Sequence, residues 1–171
     1  MLSISLVWIS SVVADEPNEL SEHLKVFQPL VGKTFKGEFA DSTPEKQKFD
    51  VSRWERALNG KAVRVLHSVN DGVYGGETII MWDAKQERVA FWYFTTAGFQ
   101  TQGTMVIDGT KWSSTEKVTG NEQGITEVRA TSEFTSDGKL IVRSQYFHDG
   151  KWEKGHEINY AESSDAKVVF K

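Results

Sequence analysis

Apolar and polar residues take turns along most of this chain. Phe35, Gly37 and Phe39 share one face of the segment 34–39, and Val63, Val65, His67 and Val69 share one face of a later segment. A period of two marks a strand with one buried side. Turn signals interrupt the alternation at intervals of roughly a dozen residues: a loop at 41–45, then Asn59-Gly60, Asp71-Gly72, 83–86, Ala97-Gly98, Asp108-Gly109, 120–124, Asp137-Gly138 and Asp149-Gly150. Nine interruptions separate ten strands. Asn-Gly and Asp-Gly pairs tolerate the positive φ angles of tight hairpins, so consecutive strands are expected side by side and antiparallel. An open meander of this length would leave unpaired backbone on its first and last strands, and closure removes both edges. The pattern therefore predicts an all-β fold, a single antiparallel up-and-down β-barrel of about ten strands. Barrels of about eight strands already have room for a small ligand, and more strands widen the lumen.

Some segments depart from simple alternation. Leu20, Leu24, Phe27 and Leu30 or Val31 have helical spacing, which predicts a short amphipathic N-terminal helix over 18–31 plugging one barrel end. In the second strand, 48–58, Phe49 and Val51 lie on one face but Trp54, Arg56 and Leu58 on the other, and a bulge near Ser52 would reconcile them. Residues 89–94 are apolar on both faces, which predicts that the outer side of the fifth strand is covered or meets a partner, such as a second copy in a homodimer. In the last strand, Trp152, His156, Ile158 and Tyr160 have one parity, and 162–171 read as a loose tail or an added strand.

Residues 2–14 are uncharged, apolar and too short to span a bilayer, and Val12 and Ala14 precede a polar start at Asp15. This predicts a signal peptide over 1–14, a domain over 15–171 and a periplasmic or secreted protein with no stable membrane insertion after processing. The chain of 171 residues has no cysteine, so neither a disulfide framework nor a lipid-anchor thiol is available. With Lys plus Arg 20 against Asp plus Glu 24, interspersed, the net charge is -4, and no basic stripe suits nucleic acid.

Aromatics make up 12% of the chain, and Trp54, Trp82, Trp92, Trp112 and Tyr146 are candidates to line a cavity or simply to fill a core. Arg56 and Arg64 flank the Asn59-Gly60 hairpin and can face each other across two strands, where a guanidinium would hold a ligand carboxylate; the plain alternative is two solvent-facing arginines. His156, among large apolar neighbours, can serve as a general base, an axial ligand or a hydrogen-bonded structural histidine. His67 and His148 stand alone in sequence, and no histidine pair has zinc-site spacing. Neither a cysteine nor a Gly-x-Ser-x-Gly elbow is present. Glu77, Glu116, Glu127, Glu133 and Glu157 can pair across a lumen or simply be solvated, and Gly72, Gly75 and Gly76 read as turn glycines.

The stretch from Leu30 to Phe39, with Gly32, Phe35 and Gly37, resembles the opening strand of calycin-type barrels. Leu58-Asn59-Gly60-Lys61, Tyr74-Gly75-Gly76-Glu77, Met81-Trp82-Asp83 and Phe91-Trp92-Tyr93 are similar to successive hairpins of an uncharacterised family of bacterial lipocalin-like proteins. What this resemblance implies is a lipocalin-like barrel, many of whose members are secreted, with no established activity. The opening also resembles that of nitrobindin, a haem-binding barrel, with Phe35 and an extra residue where that family has Gly-x-Trp. Haem is therefore the one cofactor brought into view; otherwise none is expected. The leading expectation is an exported, non-catalytic barrel binding a small apolar or amphipathic ligand through Trp54, Arg56, Arg64, Trp82, Trp92, Tyr93, Trp112, Tyr146, His156 and Tyr160. The alternatives are a haem-binding or isomerase-type barrel using His156, Tyr93 and Tyr160, and a ligand-free interaction barrel.

Overall fold

The computed structural model describes residues 18–171. Ten strands follow one another: β1 (Thr34–Phe39), β2 (Phe49–Ala57), β3 (Ala62–Val69), β4 (Tyr74–Asp83), β5 (Arg88–Thr95), β6 (Gln100–Asp108), β7 (Lys111–Thr119), β8 (Glu127–Phe134), β9 (Leu140–His148) and β10 (Lys151–Glu162). Each is antiparallel to its sequence neighbour, and β10 pairs with β1 to close the barrel. The hairpins turn as their sequences require: Asn59 and Gly60 have φ of 55° and 85°, and Asp149 and Gly150 have 48° and 76°. The predicted signal peptide lies outside the described residues. No helix among those residues is long and apolar enough to cross a membrane.

The register assigns each side chain to the lumen or the outside. One end of the lumen is filled. Leu20, Leu24, Phe27 and Leu30, from the segment preceding β1, are buried among Phe35, Trp54, Val63, Ile80, Phe91, Trp112, Leu140 and Ile158. The Phe27 ring stands 5.8 Å from Trp54 and 5.2 Å, edge-on, from Trp112. The plug is less regular than the helical spacing predicts: only Glu22–Phe27 is helical, and it is a 3-10 helix. Its bonds run to the third residue back, as in Leu24 N–H to Ser21 O at 2.8 Å, and Pro29 has no N–H with which to continue. The Gln28 side chain instead ties the segment together by accepting from Leu20 N–H at 2.8 Å.

Several expectations about facing are corrected. β2 pairs with β1 and β3 in unbroken register through Ser52, so no bulge is present there; Asp50, Ser52, Trp54 and Arg56 form one inward row. Phe49 and Val51 point outward. The irregularity falls in β10 instead, between Lys154 and Glu157, and it places Trp152 outside, against Phe147 and Arg129, while His156, Ile158 and Tyr160 stay inside. Gly75 and Gly76 are strand residues, not turn residues. A Cβ on Gly76 would lie 2.4 Å from Tyr93 Cε2, so this position makes room for the Tyr93 ring. The segment after β10 adds no strand; Val169 N–H donates to Ser68 Oγ at 3.0 Å and covers that outward residue.

Candidate functional site

Beyond the aromatic floor the inner wall becomes polar. Asp50, only 1 % exposed, accepts from Tyr160 O–H at 2.8 Å through Oδ2, while Oδ1 lies 2.8 Å from His67 Nδ1. His67 Nε2 is 2.7 Å from the Tyr93 hydroxyl, which is 2.9 Å from the Tyr74 hydroxyl. Five strands thus contribute to one inward chain: Tyr160 and Asp50 from β10 and β2, His67 from β3, and Tyr93 and Tyr74 from β5 and β4. Gly37 of β1, between Asp50 and Tyr160 in the register, leaves the space over which those two meet.

The carboxylate fixes a proton on Nδ1 of His67. Tyr93 O–H donates on to the Tyr74 hydroxyl, where the chain ends on a half-buried side chain.

A second cluster faces the first. His156 Nδ1 is 2.5 Å from the Tyr146 hydroxyl and 3.1 Å from Ser144 Oγ, and the His156 N–H donates to the same Ser144 oxygen at 3.0 Å. Phe39 packs edge-on against the His156 ring at 5.8 Å. Burial lowers the His156 pKa from its ordinary value, so the neutral ring is favoured. Glu116 of β7 accepts from Thr101 of β6, and burial raises its carboxyl pKa. The phenols of Tyr74, Tyr93, Tyr146 and Tyr160 are all held protonated, in each case chiefly by burial. The wall is thus rich in uncharged donors, with Tyr74, Tyr93, Tyr146 and His156 partly exposed.

The residues singled out by sequence divide by face. Tyr93 and Tyr160 belong to the first cluster, Tyr146 and His156 to the second. Trp54 and Trp112 build the floor, 6.3 Å apart and near perpendicular. Trp82 sits at the plugged end with His23 stacked on it at 3.6 Å. The expected meeting of Arg56 and Arg64 does not occur, because Arg56 pairs with Val63 and Arg64 with Glu55 in the register. Arg56 donates to the Glu19 carbonyl at the barrel rim, and Arg64 forms a two-pronged pair with Glu77 on the outside, at 2.8 and 2.9 Å. Trp92 also points outward, beside Phe94, which is exposed. β5 is hydrogen-bonded to β4 and β6, so contact through this strand would use side chains rather than a free edge.

Asp50, Ser52, Tyr74, Thr101 and Ser144 were not legible as site residues. The available signal was the row in β2: counting back by two from Trp54 reaches Ser52 and Asp50. Two polar atoms in this region have no partner, Ser52 Oγ and Trp54 Nε1. Each costs about 1–3 kcal/mol when left unsatisfied.

For haem, the candidate axial ligand is His156, whose Nδ1 lies within hydrogen-bond reach of the Tyr146 and Ser144 hydroxyls, so that Nε2 is the nitrogen it would offer to iron. Among the described residues, no group of three or more His, Cys, Asp or Glu is placed to hold a metal ion. A scan of protein-family models and a search of curated proteins each returned no match to this chain.

Proposed function

We propose that this protein is an exported, calycin-type barrel that holds a small apolar or amphipathic molecule in its lumen without transforming it. One observation carries this reading: the inner wall changes from a sealed aromatic floor to a partly exposed lining of phenol, imidazole and carboxyl groups. The floor offers apolar surface for burial, and the lining offers donors that orient a polar end. A pocket with this division suits a ligand with one greasy and one polar part.

Mass spectrometry of solvent extracts of the purified protein tests the reading. A stoichiometric compound that quenches tryptophan fluorescence on being returned, and binds less tightly to Tyr74→Phe and Tyr146→Phe, is the expected result. An empty protein that also takes up no amphipathic dye would overturn it.

The Asp50-His67-Tyr93 chain favours a second reading, an isomerase in which a phenol gives and recovers a proton. Conversion of the extracted compound to an isomer, abolished in Tyr93→Phe, would select this reading over simple carriage.

A further inference from the structure

Glu116 is an inward carboxyl that the protein leaves half answered. Thr101 O–H donates to Oε2, and no protein donor reaches Oε1. The register explains the omission: the cross-strand neighbours of Glu116 are Gly103 and Val128, whose side chains have no proton to give. A Cβ on Gly103 would lie 2.7 Å from the Glu116 Cβ, so the missing side chain makes room for the carboxyl arm. Ser52 Oγ and Trp54 Nε1 are sealed in the wall, whereas Glu116 Oε1 is not enclosed and the residue is partly exposed. The space it meets is the lumen. Glu116 stands in one row with Val128 and Tyr146, and Val142, two inward positions nearer the floor than Tyr146, is only partly buried, as is Val65 of β3. Open surface on these inward side chains means that the barrel is not filled between the floor and Glu116. Asp50, by contrast, is 1 % exposed and has both oxygens engaged, by Tyr160 and His67. Among the described strand residues, lysine and arginine take inward positions only at the two ends. Arg56 donates to the Glu19 carbonyl at the plugged rim, and Lys151 pairs with Glu153 at 2.8 Å at the mouth. Three phenols stand near enough to feel the carboxylate: burial raises the pKa of Tyr74, Tyr93 and Tyr146, and the Glu116 charge adds to the rise in each.

We propose that Glu116 receives an ammonium group on the molecule held in the lumen, so that the ligand is an amine with an apolar tail. The inference rests on the ligand-binding reading above and narrows it. An ammonium has protons to donate and no lone pair, so it answers the open carboxylate oxygen, and its remaining N–H groups meet phenol oxygens or lie against the rings. Its charge offsets that of a carboxylate which is partly desolvated and faces no cation of the protein. A carboxylate or phosphate on the ligand would instead meet Glu116 and Asp50 as like charges, with no inward lysine or arginine at that height to compensate. An alcohol also donates to Oε1 but leaves the charge uncompensated, and this difference is what the test measures. With the ammonium at Glu116, the apolar tail lies toward the aromatic floor.

The test uses decylammonium, 1-decanol and decanoate as probes, titrated into the protein at neutral pH and followed by tryptophan fluorescence and calorimetry. The expected order is decylammonium tightest and decanoate weakest. Glu116→Gln should weaken decylammonium about ten-fold while leaving 1-decanol unchanged, the loss expected for one charge-assisted hydrogen bond. Glutamine has the same shape and still accepts from Thr101, so the variant keeps the wall intact. Glu133→Gln is the control for general attraction to an acidic protein, because Glu133 lies on the outer face, 3.3 Å from Lys111; it should leave all three affinities as they are. If 1-decanol binds as tightly as decylammonium, or if Glu116→Gln has no more effect on decylammonium than Glu133→Gln, the amine inference is overturned while the ligand-binding reading stands. Failure of every probe to bind would overturn both.

Discussion

Tyr160 and Asp50 meet inside the barrel although 110 residues separate them in sequence: the phenol donates to Oδ2 at 2.8 Å. They lie on β10 and β2, and the strand between them contributes Gly37 at that level. An alanine there would place its Cβ 2.7 Å from Ile158 Cγ2 and 2.9 Å from Tyr160 Cδ1. The contact therefore spans three strands at the closure of the barrel and depends on a missing side chain.

Tyr160→Phe removes the donor and leaves a carboxylate oxygen buried without it. A loss of about 1–3 kcal/mol is expected, measured as a lower urea midpoint. An unchanged midpoint would show that the bond does not hold the closure.

Gly76→Ala should act at a distance from its own backbone. The new Cβ meets Tyr93 Cε2 at 2.4 Å and the Phe94 carbonyl at 2.3 Å, so the ring has to leave its place beside His67. NMR of the His67 ring should report a lost phenol partner, along with reduced stability. A variant with wild-type stability and an unshifted imidazole would contradict this packing.

Glu116→Gln should raise stability at neutral and alkaline pH. Burial raises the folded carboxyl above its ordinary value of 4.5, so between that value and the folded one the unfolded chain ionises first. Stability is full below 4.5 and falls as pH rises toward the folded pKa. Glutamine cannot ionise, so the advantage of the variant should appear above that window and vanish below it, as followed by thermal melts across pH. A constant difference at all pH values would exclude the carboxyl as its source.

His156 should act with the opposite sign. Its folded pKa is lowered by burial from 6.5, so the unfolded chain takes up a proton first as pH falls. Stability is full above 6.5 and declines toward the folded value. His156→Gln should flatten that acid limb relative to wild type in urea titrations, and an equally steep limb would assign it to other groups.

The architecture was legible because alternation and hairpin glycines are local signals. Asn59-Gly60 and Asp149-Gly150 turn where their preferred dihedrals allow, whatever the rest of the chain does. The site was less legible, because it depends on which face is inward. In β2 the apolar Phe49 and Val51 suggested the wrong row, since outward residues there are covered by other parts of the molecule while Asp50 and Ser52 are buried as polar groups. His67 looked isolated because its partners, Asp50 and Tyr93, come from two other strands. Arg56 and Arg64 looked paired by parity, but they lie on opposite sides of the wall.

The irregular step in β10 has a consequence for how this barrel tolerates insertion and loss. Gly155 fits there because a Cβ would strike Ser144 Oγ at 2.4 Å. Removing that one residue would restore strict alternation from Lys151 onward with Trp152 still opposite Phe147 on the surface and Ile158 and Tyr160 in their seats. A single-codon deletion here would therefore mend the ladder without re-lining the chamber.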